Sequence, residues 1–575
     1  MQSKHQPLRN AAIAGLAVLL VFLLLFLISA PFEYGAQLTR PVLTVVGLLI
    51  FAATLAFVGL GFACQVSTFQ YKKLLMVIFG LALSIRLVAL FTTPILEIDY
   101  YRYIWDGKVV CEGVSPYRFS PAQVLKPGIA PGKHLERVSQ LATRSESNFV
   151  ALNRIHYEKY TTLYPPVSQF VFAAVMKLTP ESASIETHVI VMKIAMLLFD
   201  LGTILLLAGL LKMARIHLGW LIAYAWNPLV IKEIANSGHL DAIATFFVVL
   251  TLYLVVKQNL LSHVKSQRWW LVLAGVTLGL AVGAKLYPLV IFPALVVAVS
   301  AKGCEAGKRL MGGAVFSFAF VLTSCLVLVP MFNKHGDDEV SRVSQTASQT
   351  MLEGSSLAAK SDPGKSRDGF GGFFSSWRMN DPIFSTVYFN LKSDTNEKSI
   401  QPWFVVTSKP WRGRLNQWFR SFGVDGNDPA HLIARALTLS LFSCFYLFQL
   451  VKLYNSEDRE TQWVIHLVRR ITLILAFFLV LQPTVNPWYF VWVAPLTCMT
   501  NNRGWLLASG FLMLYYTRFW FKSLTGTFAF GGQSFDGVSL FDHCFVFVEF
   551  GLIFAVLIFF QTRKRDETSD LQNAA

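Results

Sequence analysis

Apolar runs of about 18 residues or more recur along nearly the whole chain, and no other feature limits its fold so tightly. In hydrocarbon a lone segment can satisfy its backbone groups only as a helix. Apolar length gives about 14 candidate spans, near 11–30, 41–63, 74–93, 187–212, 217–234, 240–257, 269–284, 286–299, 309–331, 432–453, 469–484, 488–500, 503–520 and 542–561. Composition agrees with this reading. Of 575 residues, 54% are hydrophobic and 15% charged, whereas soluble domains carry roughly 25% charged residues. The expected fold class is all-α, a polytopic transmembrane helical bundle with juxtamembrane helices and loops on its outer face. Residues 1–561 read as one multispanning domain and 562–575 as a polar, irregular cytoplasmic tail.

The formal net charge is +16. Nucleic acid is one partner that such a balance suggests, but in a membrane protein it fits Lys and Arg gathered in cytoplasmic loops. Lys72 and Lys73, Lys212 and Arg215, Arg503 and the Arg563-Lys564-Arg565 tail all fall on one side of the expected topology. That bookkeeping requires residues 164–178, led by Pro165-Pro166, to lie at the outer interface without crossing. Lys4 and Arg9 precede the first apolar run, which reads as an uncleaved span. The seven cysteines form no CxxC pair, so neither a disulfide framework nor a zinc site is expected. The expected location is the inner (cytoplasmic) membrane, multi-pass.

The outer side then collects the unusual chemistry. A first long loop, about 94–186, opens with EIDYYRYIWDGKVVCEGVSPYRF, in which Asp99, Arg102, Tyr103 and Asp106 share one helical face. An Asp99–Arg102 pair alone reads as an interfacial anchor. Four further segments alter that balance. WNPLVIKEIANSGHLDA breaks a span at Asn227-Pro228 and sets Lys232, Glu233, His239 and Asp241 at the lipid–water boundary. GAKLYP projects Lys285, which alone would snorkel. WRMND lies in a second long loop, about 332–430, and carries Trp377, Arg378, Asn380 and Asp381. NPWYF offers Trp488 and Tyr489, otherwise an ordinary aromatic belt.

Together these supply a carboxylate, several cations and aromatic platforms, a set that suits moving a sugar off a lipid phosphate. Cations neutralise phosphate oxygens and the growing charge of the leaving group. A carboxylate takes a proton from the attacking hydroxyl. Aromatic rings stack on the sugar or hold the isoprenoid chain. No Gly-rich loop for a nucleotide sugar is evident, and nucleotide sugars are not expected outside the cytoplasm.

Asp99-Y-Y-R-Y-I-W-D-G, G-V-S-P-Y, Y-P-P, W-N-P-L-V, G-H-L-D, A-K-L-Y-P, W-R-M-N-D and N-P-W-Y occur in that order over roughly residues 70–500. This series resembles the bacterial GT-C-fold glycosyltransferases, and among them the polyprenyl-phosphate-mannose-dependent mannosyltransferases. The resemblance implies a polyprenyl-phosphate hexose donor, a glycan or lipid acceptor, a site outside the cytoplasmic membrane and inversion at the anomeric carbon. Mannose rests on the resemblance alone. It also implies that an acid of the first outer loop is the base, here Asp99. Relatives with adjacent acids differ from Glu97-Ile98-Asp99, which leaves one acid in register, so no metal and no cofactor are expected. Arg102, Lys285 and Arg378 are the candidates for the donor phosphate. Tyr103, Asp106, His239, Asp241, Trp488 and Tyr489 are the candidates for substrate contacts, although Asp106 equally suits local backbone bonding.

Two other functions share these features. A transporter or flippase of lipid-linked sugars also uses broken helices and intramembrane charge, but no repeat is evident and the polar residues gather at one surface. A sugar-phosphate or lipid A modifying transferase would keep the base and change the acceptor. Within the second loop, 334–368 reads as mobile, while WRMND is expected to be ordered, as a lid.

Overall fold

The computed structural model describes residues 6–37, 39–127, 132–260, 264–300, 306–332, 368–369, 371–372, 377–393, 402–422, 429–456 and 461–573. The stretch expected to be mobile, 334–368, lies outside the described residues except for its last position. The molecule is an all-helical bundle whose described strands are one short hairpin, Phe528–Phe530 against Gln533–Phe535. Gly531 and Gly532 turn it with φ of 58° and 75°, the positive values that a two-residue hairpin turn requires.

Nine helices among the described residues are long and apolar enough to cross a membrane. They are α1 (Gln6–Leu27), α2 (Val42–Ala63), α3 (Tyr71–Phe91, with the turn from Thr68), α9 (Ile185–Met213) and the helices at Asp241–Asn259, Leu310–Phe332, Pro429–Tyr454, Gln462–Leu481 and Gly537–Gln561. Between α3 and α9 lie α4 (Tyr100–Cys111), α5 (Pro121–Leu125), α6 (Lys133–Arg144), α7 (Glu146–Asn153) and α8 (Pro166–Leu178). With 13 residues, α8 is about 20 Å long at 1.5 Å per residue, short of the roughly 30 Å hydrocarbon layer. That fits the non-crossing role that the charge pattern demands.

Of the five other expected spans, 269–284 and 286–299 are apolar helices too short to join the nine, at Arg268–Ala284 and Tyr287–Ser300, and three are not continuous helices. Residues 217–234 form short pieces, Leu218–Leu221, Ile222–Ala225 and Pro228–Val230, followed by a wide turn over Ile231–Asn236. Residues 488–500 and 503–520 are likewise divided, at Pro487–Trp492, Ala494–Thr497, Gly504–Phe511 and Leu512–Tyr516. Prolines at 228, 487 and 495 remove backbone donors and interrupt the ladder. Broken backbone is tolerated at such depth only inside protein, and residues 218–240 are all buried. The tail also differs from expectation, because the last helix runs on to Asn573. Its Lys, Arg, Glu, Gln and Leu content favours helix continuation.

Small residues set the close approaches. A Cβ on Gly275, Gly279 or Gly283 would come within 2.5 to 2.7 Å of Phe316, Thr323 or Val327 on the helix Ala306–Phe332. This four-residue repeat lets two helices pack nearly backbone to backbone. A Cβ on Gly107 would lie 2.7 Å from the Phe172 backbone, which fixes α4 against α8. Trp226 is fully buried in a slot beside Gly15 and Gly59.

Buried ions then lock the exit of α3. Arg86 pairs with Asp200 and donates to the Ala225 carbonyl at 2.6 Å. Lys193 donates to the carbonyls of Leu90 and Thr92, taking oxygens that the helix end leaves open. Asn236 donates to the carbonyls of Thr92 and Thr93 at 3.1 and 3.0 Å and accepts from the Ile95 amide at 2.9 Å. The segment leading to Glu97 and Asp99 is thus held from two other elements.

Candidate active site

The chain leaves α3 through Leu96, whose φ is 55°. Glu97 Oε1 then accepts the amides of Ile98 and Asp99 at 2.8 and 2.7 Å, so the acids at 97 and 99 turn into the same space. That space is a cavity of about 540 Å³. Glu97, Asp99, Arg102, Arg378, Trp488 and Tyr516 are part of its lining.

The two acids live in different surroundings. Glu97 Oε2 lies 2.9 Å from His239 Nε2, and Glu233 Oε2 lies 3.3 Å from the same nitrogen. Glu233 in turn meets Lys232 at 3.1 Å and accepts from the Tyr516 hydroxyl, which also sits 2.7 Å from Lys232 Nζ. Trp488 stacks on the His239 ring at 4.8 Å and 17°. Among the described residues Asp99 has a single side-chain hydrogen-bond partner, the Tyr164 hydroxyl, which donates to Oδ2 at 3.0 Å.

The electrostatics follow from this wiring. Burial pushes the Glu97 carboxyl up, but the His239 imidazolium and then Lys232 outweigh it and hold it at about 2. Burial also opposes charge on His239, yet the Glu97 and Glu233 carboxylates lift the ring to about 10. For Asp99 the balance is reversed. Burial first, and the Glu97 carboxylate second, push it up to about 6. Glu97 and His239 are therefore a fixed ion pair, whereas Asp99 changes protonation close to neutrality.

A second group adjoins the first. Lys285 meets Asp241 at 2.7 Å, and the Trp492 indole donates to the same carboxylate oxygen. Trp492 is sandwiched between Tyr287, 4.2 Å away at 1°, and Tyr489, 4.5 Å away at 24°. Lys285 Nζ lies 5.0 Å from the Tyr489 ring centre, within cation–π range.

The 377–381 segment reaches the cavity by pairing with the turn before Pro487. Met379 donates to the Pro483 carbonyl and accepts from the Val485 amide, both at 2.9 Å. Asn380 takes a φ of 56° and donates to Val485 at 3.0 Å and Glu549 at 3.1 Å. Trp377 is thereby set 4.3 Å from Tyr157, and the Arg378 guanidinium 3.9 Å over the Tyr388 ring. Arg378 Nη1 and Asn486 Oδ1 are buried without a hydrogen-bond partner among the described residues, and both residues line the cavity. Buried polar atoms of this kind call for a ligand or water. Asp381 accepts from Ser385 at 3.1 Å, and burial pushes its carboxyl up to about 7.

Of the residues singled out in the sequence, Asp99, Arg102, Arg378 and Trp488 line the cavity. His239 stands behind Trp488 and Glu97. Lys285, Asp241 and Tyr489 form the adjoining group. Tyr103 and Asp106 turn into the α4–α8 packing. Tyr103 stacks on Phe172 at 4.7 Å, while Asp106 is taken up by Arg102 at 3.2 Å and Gln169 at 3.1 Å.

Residues 23–301 match the family model described as alpha-(1->6)-mannopyranosyltransferase, N-terminal domain. Residues 413–524 match the model described as MptB C-terminal domain. The chain belongs to this mannosyltransferase family. It is a multi-pass membrane mannosyltransferase, in keeping with its nine long apolar helices among the described residues. No curated protein and no solved structure matches it.

In this mannosyltransferase the N-terminal match contains Glu97, Asp99, His239, Asp241 and Lys285, and the C-terminal match contains Trp488, Tyr489 and Tyr516. Trp377 and Arg378 fall between the two. Sequence reasoning left Glu97, Tyr164 and Tyr516 out of the site. The signal for Glu97 was its position two residues before Asp99, but its partner lies far along the chain. Tyr516 sat inside an expected span. Among the described residues no group of three or more His, Cys, Asp or Glu is arranged to hold a metal ion. The arrangement offers a carboxylate pushed up toward neutrality, a histidine held between two carboxylates, Arg378 with no carboxylate at contact among the described residues, and stacked aromatic rings, at or beside one cavity.

Proposed function

We propose that this mannosyltransferase takes mannose from a polyprenyl-phosphate donor and transfers it to a hydroxyl of a glycan or lipid acceptor at the outer side of the cytoplasmic membrane. The family description points to an alpha-(1->6) linkage. Inversion would form that alpha bond from a beta-linked donor in one displacement: the acceptor oxygen bonds to the anomeric carbon while the bond to the phosphate oxygen breaks. Asp99 takes the acceptor proton, and the lipid phosphate leaves with the electron pair. Arg378, with Arg102 and Lys285, stabilises the charge growing on that phosphate. The aromatic rings at 377 and 488 hold the sugar.

The observation that carries this reading is the unequal pair at 97 and 99. Both line the cavity, but Glu97 is paired with His239 and takes two amides, while Asp99 has one hydroxyl partner among the described residues. The outward orientation is supported by the distribution of Lys and Arg among the loops.

The test is transfer from radiolabelled polyprenyl-phosphate-mannose to membrane acceptors by purified, reconstituted enzyme. The wild type should label acceptor, and labelled nucleotide-mannose alone should not serve. Asp99→Asn should lose activity by about 100-fold or more, the range for a general base, while expressing and inserting normally. Full activity in that variant would overturn the assignment of the base.

A further inference from the structure

A second cavity, of about 440 Å³, lies at the other end of α4 from Asp99 and has no part in the chemistry above. Residues of α4, α6, α8 and the first turn of α9 line it, and its polar lining includes Lys108, Glu112, Arg144, Lys177, Glu181 and His188.

The acids there already have cations. Glu112 meets Arg144 at 2.6 Å and Arg137 at 3.3 Å, and Glu181 lies 3.7 Å from Arg144. Lys108 is different. It is buried, and its ammonium contacts neutral groups, Asn148 Oδ1 and, at 3.5 Å, Ser147 Oγ. A buried ammonium without an anion at contact carries a desolvation penalty that a bound anion would offset. His188 is 0% exposed, with Nδ1 engaged by the Ser184 carbonyl at 2.9 Å. Its Nε2, on the opposite edge of the ring, has no hydrogen-bond partner among the described residues. Lys177 adds an exposed cation at the rim.

One face of α8 leads into this pocket. Phe170, Ala173, Ala174 and Lys177 follow at i, i+3, i+4 and i+7, and the last three line the cavity. Phe170 is 57% exposed. The small alanines leave a shallow strip between an exposed ring and the cations. A charged pocket that ends an apolar strip matches an amphiphile with an anionic head.

We propose that this cavity binds the phosphate headgroup of an anionic membrane lipid. Lys108 and Lys177 face the phosphate, and the lipid chain lies along Phe170, Ala173 and Ala174. The site is separate from the transfer reaction and does not depend on its mechanism.

Cys111 reports on it directly, because it is exposed and lines the same cavity. The experiment follows maleimide modification of Cys111 in the full-length protein in neutral detergent, by mass spectrometry of its peptide, with free-thiol peptides added to the same sample as internal references. Dioleoyl-phosphatidylglycerol in mixed micelles should slow Cys111 at least fivefold and leave the references unchanged. Dioleoyl-phosphatidylcholine and inorganic phosphate should slow it less than twofold. Lys108→Gln with Lys177→Gln should abolish the protection, and Lys177→Gln alone should weaken it about threefold if the double variant does not fold. No protection by phosphatidylglycerol would overturn the site. Equal protection by phosphatidylcholine would overturn its anionic selectivity, and equal protection by inorganic phosphate would replace the lipid with a free ion.

Discussion

Two residues separate a carboxyl held by a histidine from one held by a tyrosine hydroxyl. Glu97 and Asp99 share a turn, yet His239 claims only the first. If Asp99 is the base, activity should fall about tenfold per pH unit below its value of about 6, because the protonated form cannot accept the acceptor's proton. Glu97→Gln removes a neighbouring negative charge, so the acidic limb of the kcat/KM profile should move to lower pH. A limb that stays in place would separate Glu97 from the tuning of Asp99. Arg378→Ala should raise the donor KM about tenfold, as losing a charge-assisted hydrogen bond of roughly 1.5–3 kcal/mol implies. Lys285→Ala should have the smaller effect on donor KM, since Asp241 already occupies the ammonium. The candidate base was readable from its register with Tyr and Arg on one helical face. The clamp around Glu97 was not, because it joins residues of two elements that only folding brings together.

Among elements, the clearest determinant is the four-residue glycine repeat at 275, 279 and 283. Gly279→Leu would drive a side chain into Thr323, where even a Cβ would stand 2.7 Å away. Overpacking of this kind costs about 1–3 kcal/mol. The variant should unfold at a lower temperature in detergent, and Gly47→Leu, at a glycine with open space around it, should not. Apolar length located the nine continuous spans well, since hydrocarbon demands whole helices. It misread 217–234, 488–500 and 503–520 for a physical reason. A segment wrapped by protein can be as apolar as one wrapped by lipid, and only the former can be broken. Asn227-Pro228 and Asn486-Pro487 marked two of those breaks in the sequence, and both adjoin residues of the site.

For the whole molecule, the proposed orientation puts the cavity and the basic loops on opposite sides of the membrane. An alkaline phosphatase reporter fused after Ala575 should be inactive, and one inserted at Gly354 in the second long loop should be active. The reverse pattern would place the catalytic face in the cytoplasm and remove the argument for a lipid-linked donor. The fold class, the short α8 and the gathering of distant motifs around one cavity were legible in the chain. The turning of Tyr103 and Asp106 into the α4–α8 seam was not, since helical register alone does not say which side of a helix meets its neighbour.

The 377–381 segment hangs from the turn at 483–485 by two main-chain bonds and is tethered to Glu549 through Asn380. Trp377 and Arg378 are therefore carried by a ceiling fastened by main-chain bonds and one asparagine, while the backbone leading to Asp99 is rooted by Lys193 and Asn236. A transferase built in this way can be refitted from above while the backbone that carries Glu97 and Asp99 stays in place.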